Sequence, residues 1–224
     1  IQASNDLNLP SFVASCDFSK AFDRLSQDFI FKALHAFGFP TDFVNSIKEW
    51  LRNRIACVMT SEGMTDFFQC KTGTPQGDPL SGYIFIICVE LLIIKMNMGQ
   101  SLKTNLRTRN DILTSSVEAF ADDILTFTPA TDGALKCLNS IFAEFELLSG
   151  LHLNKQKTNI IICGTPPTRE LVSIIERNGF SHSQIFTHLG FKIDANLNLL
   201  NENFDEKLIK IASLKNMLVH LDPP

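Results

Sequence analysis

No cysteine in this chain stands in a C-x-x-C pair. Cys16, Cys57, Cys70, Cys88, Cys137 and Cys163 are scattered, so neither a zinc cluster nor a small disulfide framework is indicated, and a reduced intracellular setting is the expectation. A surplus of positive charge is missing too: 20 Lys and Arg against 24 Asp and Glu give a formal net charge of −4. Phosphate neutralisation depends on clustered cations, so a surface dedicated wholesale to nucleic acid is excluded and any such contact must be local. The most apolar run, residues 84 to 94, contains Glu90 and is shorter than the roughly 20 residues of a bilayer span. It reads as a buried helix, and no membrane partner is expected. No repeat, linker or low-complexity segment appears. The chain opens at Ile1 without a Met or a basic segment, so no secretory signal is visible, and a piece of a longer polyprotein is expected.

What is present is enough apolar material for a core. Of 224 residues 45% are hydrophobic, which suits one large globular domain or two small ones and excludes a disordered chain. Residues 12 to 17 read as a short strand ending in the carboxylate of Asp17. A helix carrying Phe29, Ile30, Ala33, Leu34 and Phe37 follows, stopped by Gly38 and Pro40. A second amphipathic helix is predicted over 41–53 with Thr41 as its N-cap and Phe43, Ile47, Trp50 and Leu51 on one side. Short strands are predicted near 55–60 and 65–71. After the loop 73–79 comes the long apolar helix, then a connector, 99–116, in which Lys103, Arg107 and Arg109 face one acid, Asp111.

Two strand-like runs, 117–120 and 124–127, flank Ala121-Asp122-Asp123, which reads as a tight hairpin with both acids at its tip. The apolar residues Leu135, Leu138, Ile141, Phe142, Phe145 and Leu148 recur at helical spacing before Gly150. Strands are predicted near 158–163 and 184–194, a helix near 169–178 and a last helix over 203–221. Mixed elements of this order indicate an α+β fold, a sheet with helices packed on one face.

Asp17 ends one predicted strand and Asp122-Asp123 sit on a hairpin about 105 residues later, so a sheet pairing these strands would bring three acids together. Three carboxylates at one spot repel one another and call for cations. Hard oxygen donors suit magnesium, and two such ions about 4 Å apart can activate an attacking hydroxyl and stabilise the leaving oxygen of a phosphoryl displacement. Read alone, Asp122-Asp123 is simply a turn pair, since Asp is common in hairpin loops. The string Pro75-Gln76-Gly77-Asp78-Pro79 can bring backbone close to a ligand at Gly77 while Gln76 projects. It can also simply enter a helix, with Asp78 capping and Pro79 at the first position.

Four strings in order carry a resemblance. Asp17-Phe18-Ser19-Lys20-Ala21-Phe22-Asp23, Gly73 to Ser81, Phe120-Ala121-Asp122-Asp123 and Ser149 to Thr158 look like the palm motifs A, B, C and D of non-LTR (LINE-type) retrotransposon reverse transcriptases. Thr187-His188-Leu189-Gly190-Phe191 is similar to the motif E that follows. The match covers residues 12 to 194. It implies a polymerase palm-type antiparallel sheet over residues 1–200 and the start of a helical thumb over 201–224. The implied activity is RNA-directed DNA synthesis from deoxynucleotides on a DNA primer and an RNA template, with two Mg2+ ions and Mn2+ as a possible substitute.

By the same resemblance Asp17 and Asp122 ligate both ions, Asp123 assists and the carbonyl of Phe18 closes one coordination sphere. Phe22 is then the bulky residue at the sugar 2′ position, Gln76 and Gly77 lie beside the nucleotide, Lys157 balances or protonates the leaving pyrophosphate, and Leu189 and Gly190 support the primer. Each residue also has a plain reading: a core Phe at a helix start, a solvated Lys, a β-turn Gly.

Gln27 stands where many relatives have His. The fingers motifs that grip the triphosphate are absent before Asp17, so the fragment alone is expected to be inactive and to work with the rest of its polyprotein, namely fingers, thumb and endonuclease. The expected setting is intracellular, cytoplasm and nucleus. The alternative is a domesticated, inactive palm that binds nucleic acid as a scaffold. Loss of a metal acid would mark that alternative, and all three acids are retained.

Overall fold

The computed structural model describes residues 2–103, 106–107, 112–113, 117–196, 204–205 and 208. A short helix, α1 (Gln2–Asp6), precedes the strand β1 (Ser11–Cys16), whose apolar run is buried along nearly its whole length. Lys20, with φ 52°, turns the chain into α2 (Ala21–Arg24). In α3 (Gln27–Ala36) the Ser26 hydroxyl accepts from the Phe29 N–H, and Phe29, Ile30, Phe31, Ala33 and Leu34 are buried. Phe37, expected on that buried face, falls at the C-cap instead and is exposed. In α4 (Thr41–Arg52) Val44, Ile47 and Leu51 face inward. Thr41 does not cap this helix. Pro40 occupies the N-cap position with φ −58° and no side-chain capping bond is made, because the ring already fixes the entry angle.

The two strands expected over 55–60 and 65–71 break into four two-residue pieces: β2 (Ile55–Ala56), β3 (Met59–Thr60), β4 (Gly63–Met64) and β5 (Phe68–Gln69). They pair as β2 with β5 and β3 with β4. Met59, Met64, Phe67 and Phe68 are exposed, and without a buried face a longer ladder has little to hold it. Then comes α5 (Pro79–Met98), capped as expected: Asp78 Oδ1 accepts from the Leu80 N–H at 2.8 Å and Pro79 opens the helix. By length and composition alone it could cross a membrane. In the fold it is a core helix on one side, with Ile84, Phe85, Cys88, Val89, Leu92 and Met96 buried while Tyr83, Ile86, Ile94 and Met98 face outward.

The basic connector starts with a 3-10 turn at Gln100–Leu102 and includes the paired strands β6 (Leu106–Arg107) and β7 (Ile112–Leu113). Arg109 and Asp111 lie outside the described residues. The hairpin of β8 (Val117–Phe120) and β9 (Asp123–Pro129) leads to α6 (Asp132–Ser149), whose first turn is capped by Thr131 and whose end is closed by Gly150. After β10 (Asn159–Cys163), α7 (Arg169–Arg177) and β11 (Ser181–His182), the region expected as one strand forms a hairpin, β12 (Ile185–His188) with β13 (Phe191–Asp194). Of the last expected helix, Phe204, Asp205 and Leu208 are helical and the other positions lie outside the described residues.

Five strands form one sheet in the order β11-β10-β1-β9-β8, antiparallel throughout except for β10 with β11. Alternation sorts the side chains onto two faces. Phe12, Ala14, Cys16, Ile124, Ile160 and Ile162 join the core shared with α3, α5 and α6. Val13, Ile161 and Cys163 pack instead with Phe186 of the β12–β13 hairpin. The α+β palm-type sheet with helices on one face is thus what forms, and the hairpin covers part of the other face. All six cysteines are free, and burial pushes the Cys16 and Cys88 thiols up to about 12.

The start of α6 is tied to the end of α7 through Asp132. Lys136 Nζ stands 2.7 Å and Arg177 Nε 3.2 Å from its carboxylate, and Asn178 Nδ2 donates to it at 2.9 Å. The hydrogen bond from Lys136, then that from Asn178, holds the carboxyl down from 3.8 to about 2. Its folded value lies below its unfolded one, so the stabilisation is complete above about pH 4 and is lost as the pH falls toward 2. Thermal melts followed by circular dichroism should show the wild-type midpoint falling more steeply across that window than that of Asp132→Asn. Parallel curves would contradict the role given to this carboxylate.

Candidate active site

The site is built on the ladder between β1 and β9. Cys16 pairs with Ile124, so one step further Asp17 comes level with Asp123, the first residue of β9. Phe120 pairs with Asp123, which leaves Ala121 and Asp122 as a two-residue turn with Ala121 at φ 54°. Only Asp122 therefore sits at the tip, where both acids had been expected; Asp123 belongs to the strand. All three carboxylates gather at one end of the sheet and are half-exposed. Among the described residues no group of three or more His, Cys, Asp or Glu side chains is placed to hold a metal ion. The acids share an open, half-exposed edge.

Phe18 anchors this edge from below. It is buried, meets Phe142 edge-on with centroids 6.1 Å apart, and lies 6.3 Å from Phe145. A buried aromatic of this size costs about 3–5 kcal/mol to truncate, so Asp17 is attached to one of the better-held points of the core. Phe18 also bridges to Leu153. The two hydrogen bonds beside that bridge run from the Asn154 N–H to the Asp17 carbonyl, 2.9 Å, and from the Ser19 N–H to the His152 carbonyl, 3.0 Å. Neither takes the carbonyl of Phe18.

The same strap brings Lys157 near the acids. Its Nζ is 3.7 Å from Asp17 Oδ2, with 71% of the lysine side chain and 38% of the aspartate side chain exposed. A pair this open is worth at most about 1 kcal/mol, so it offsets the repulsion at the edge without neutralising it.

On the other side of Asp17, the loop before α5 is fastened to the segment that follows β1. The Thr74 N–H donates to the Phe22 carbonyl at 2.9 Å and the Gly73 N–H to the Leu25 carbonyl at 2.8 Å. Arg54 Nη2 donates to the Thr72 carbonyl at 3.0 Å. Phe22 stacks on Phe85 with centroids 4.7 Å apart and planes 28° from parallel, so it is a packed aromatic braced by the core. Gln76 donates from Nε2 to Asp23 Oδ1 at 2.9 Å. Gln27 is buried away from the acids and donates to the Cys70 carbonyl at 3.2 Å.

Leu189 and Gly190 form the two-residue turn of the β12–β13 hairpin, with φ 50° and 75°. Ser15 Oγ donates to the Thr187 carbonyl near this tip, whereas Asn5 ties Ala195 at the hairpin's open end. The turn thus points toward the sheet end that carries Asp17. Asp23 and Arg54 carried no assigned role in the sequence. Asp23 lies inside the first quoted string, yet its partner is 53 residues away, and no local spacing signals such a bond.

An antiparallel sheet with acids at the adjoining ends of two central strands, backed by helices on one face, defines a polymerase palm. Residues 2–193 match the family described as reverse transcriptase (RNA-dependent DNA polymerase), and the chain belongs to that family. Its curated relatives include Pol polyproteins of retrotransposable elements. A Pol polyprotein from the type-2 retrotransposable element R2DM of Drosophila melanogaster is 28% identical over 75% of this chain and 15% of its own length. One from the type-1 element R2 of Popillia japonica is 27% identical over 71% of this chain and 25% of its own length. The chain therefore spans a quarter or less of these two relatives. Among solved structures, apo telomerase from Candida tropicalis, truncated from its C-terminal domain, aligns with a TM-score of 0.61 and 17% identity over 88% of this chain and 36% of that one. That likeness is one of fold.

Two glycines in the loop separate packing from backbone strain. Gly73 has φ 71°, and a Cβ there would fall 2.7 Å from the Asp23 carbonyl oxygen; Gly77 has φ 86° and open space around it. Gly77→Ala should cost about 1–2 kcal/mol from the left-handed backbone alone. Gly73→Ala adds displacement of a neighbouring strand of backbone and should cost about 3 kcal/mol or more. Urea unfolding measures both, and equal losses would contradict the close approach at Gly73.

Proposed function

We propose that this chain is the catalytic palm of an RNA-directed DNA polymerase that joins deoxynucleotides to a DNA primer on an RNA template. The observation that carries the reading is the β1–β9 register, which sets Asp17 level with Asp123 beside the Asp122 turn. Two magnesium ions are the proposed cofactors, with manganese as a substitute. When bound they supply positive charge to the reacting phosphate and make the primer hydroxyl easier to deprotonate.

The chain's own residues do the rest. Asp17 and Asp122 would hold both ions, Asp123 would assist, and the Phe18 carbonyl would complete one coordination sphere. Phe22, braced by Phe85, is proposed to close on the sugar 2′ position and exclude ribonucleotides. Gln76 and Gly77 line the nucleotide side of the loop. Lys157, beside Asp17, is proposed to stabilise or protonate the leaving pyrophosphate. Leu189 and Gly190, on a hairpin tip directed at this end, would support the primer. Positioning is most of phosphoryl-transfer catalysis, so the fingers, thumb and endonuclease of a longer polyprotein are the proposed partners, and the setting is intracellular, in cytoplasm and nucleus. Retention of all three acids argues against an inactive scaffold.

The test is Asp122→Asn in a longer polymerase that carries this chain. The amide keeps the shape of the turn and removes a charge. Magnesium-dependent primer extension should fall by about two to three orders of magnitude or more while the melting temperature stays unchanged. Extension within about tenfold of wild type would remove these acids from catalysis.

A further inference from the structure

Gln76 does not hang free in its loop. Its Nε2 donates to Asp23 Oδ1 at 2.9 Å, and both side chains are otherwise open to solvent. An aspartate carboxylate at neutral pH has only acceptors, so the amide group must present its NH2 end to Asp23. One orientation of an otherwise symmetric-looking group is selected. Oε1 and the second N–H are then left free to meet another partner.

The backbone on both sides of this bond is fastened as well. Asp23 belongs to α2, directly after Phe22, whose carbonyl receives the Thr74 N–H. Gly73 approaches the Asp23 carbonyl so closely that a side chain would not fit. On the far side, Ser81 Oγ donates to the Pro75 carbonyl at 2.5 Å. Both ends of the Gln76–Asp23 bond therefore start from backbone that is already fixed, and the bond sets the one remaining freedom, the direction of the amide.

We propose that Asp23 is a positioning residue for nucleotide selection: it orients the Gln76 amide so that Oε1 is offered as an acceptor to a hydrogen-bond donor on the incoming nucleotide. The inference rests on the polymerase reading above and adds a residue to it. Asp23 touches no substrate in this account and acts through Gln76 alone. Its removal leaves Gln76 present but free to rotate and flip, so the loss appears in nucleotide binding, and the chemical step at the acids is spared.

Two measurements decide the matter. In the longer polymerase, Asp23→Ala and Gln76→Ala should each raise the KM for deoxynucleotides about tenfold with kcat within about threefold of wild type. The double variant should be no worse than the poorer single one, because both remove the same contact. Asp23→Asn keeps an acceptor but also admits the flipped amide, and should fall between wild type and Asp23→Ala. Additive losses in the double variant, an unchanged KM in Asp23→Ala, or a fall confined to kcat would overturn the proposal. The second readout does not depend on catalysis. In the 224-residue chain, the side-chain amide protons of Gln76 observed by NMR should shift in Asp23→Ala while the Thr74 backbone amide stays in place. An unchanged Gln76 signal would overturn it too. A wild-type polymerase without activity would defeat the polymerase reading, and the NMR result would still decide whether Asp23 holds Gln76.

Discussion

Cys16 lies across from Ile124 in the ladder between β1 and β9, and the placement of every other part of the site follows from that pairing. A strand alternates its faces with a period of two, so a slip of one residue would exchange the two sets of side chains. Phe12, Ala14 and Cys16 would leave the helical core for the hairpin face, and Val13 would take the opposite journey. Both faces of β1 are covered, by helices on one side and by Phe186 on the other, so the slip is costly twice over. The register that satisfies burial is also the one that sets Asp17 level with Asp123. Core packing thereby fixes the placement of the acids, to which the packed residues themselves contribute no charge.

From that point the site grows outward along residues 17–26. Five backbone bonds fasten two other segments to this stretch: Asn154 to Asp17, Ser19 to His152, Thr74 to Phe22, Gly73 to Leu25 and Ser26 to Ser149. Each contributes about 1 kcal/mol net. That is too little to define a fold, but it is ample to hold two loops against a segment whose position the core has already set. The strap bearing Lys157 reaches Asp17, and the loop bearing Gln76 is tied to Asp23. In a chain of net charge −4, one cation, Lys157, thus stands beside an acid of this edge.

Much of this was legible in the sequence because it depends on local chemistry. The cap at Asp78, the helical period of α6 and the hairpin of β8 and β9 all follow from residue types at short spacing, whereas the cap expected at Thr41 is displaced by Pro40. The three acids could be grouped because two ordered strings flank them. Other features depend on distant partners. Nothing near Phe37 shows that its helix ends one residue before it, and nothing near residues 55–71 shows that no layer covers them. Asp23 and Arg54 act across gaps in sequence that no period bridges, and the turn at Leu189-Gly190, which lacks the Asn or Asp that often marks such loops, was legible only through the resemblance while the residue pattern ran as one strand over 184–194.

The central claim is that Asp17, Asp122 and Asp123 form one divalent-cation edge even though no closed cage of side chains surrounds it. Manganese titrated into the isotopically labelled chain tests this most directly, since a paramagnetic ion broadens the NMR signals of nearby amides without any need for turnover. The account requires selective broadening at residues 16–18 and 121–124, reversed by excess magnesium and abolished in Asp17→Asn. Broadening centred elsewhere, or spread evenly over the acidic surface, would contradict it.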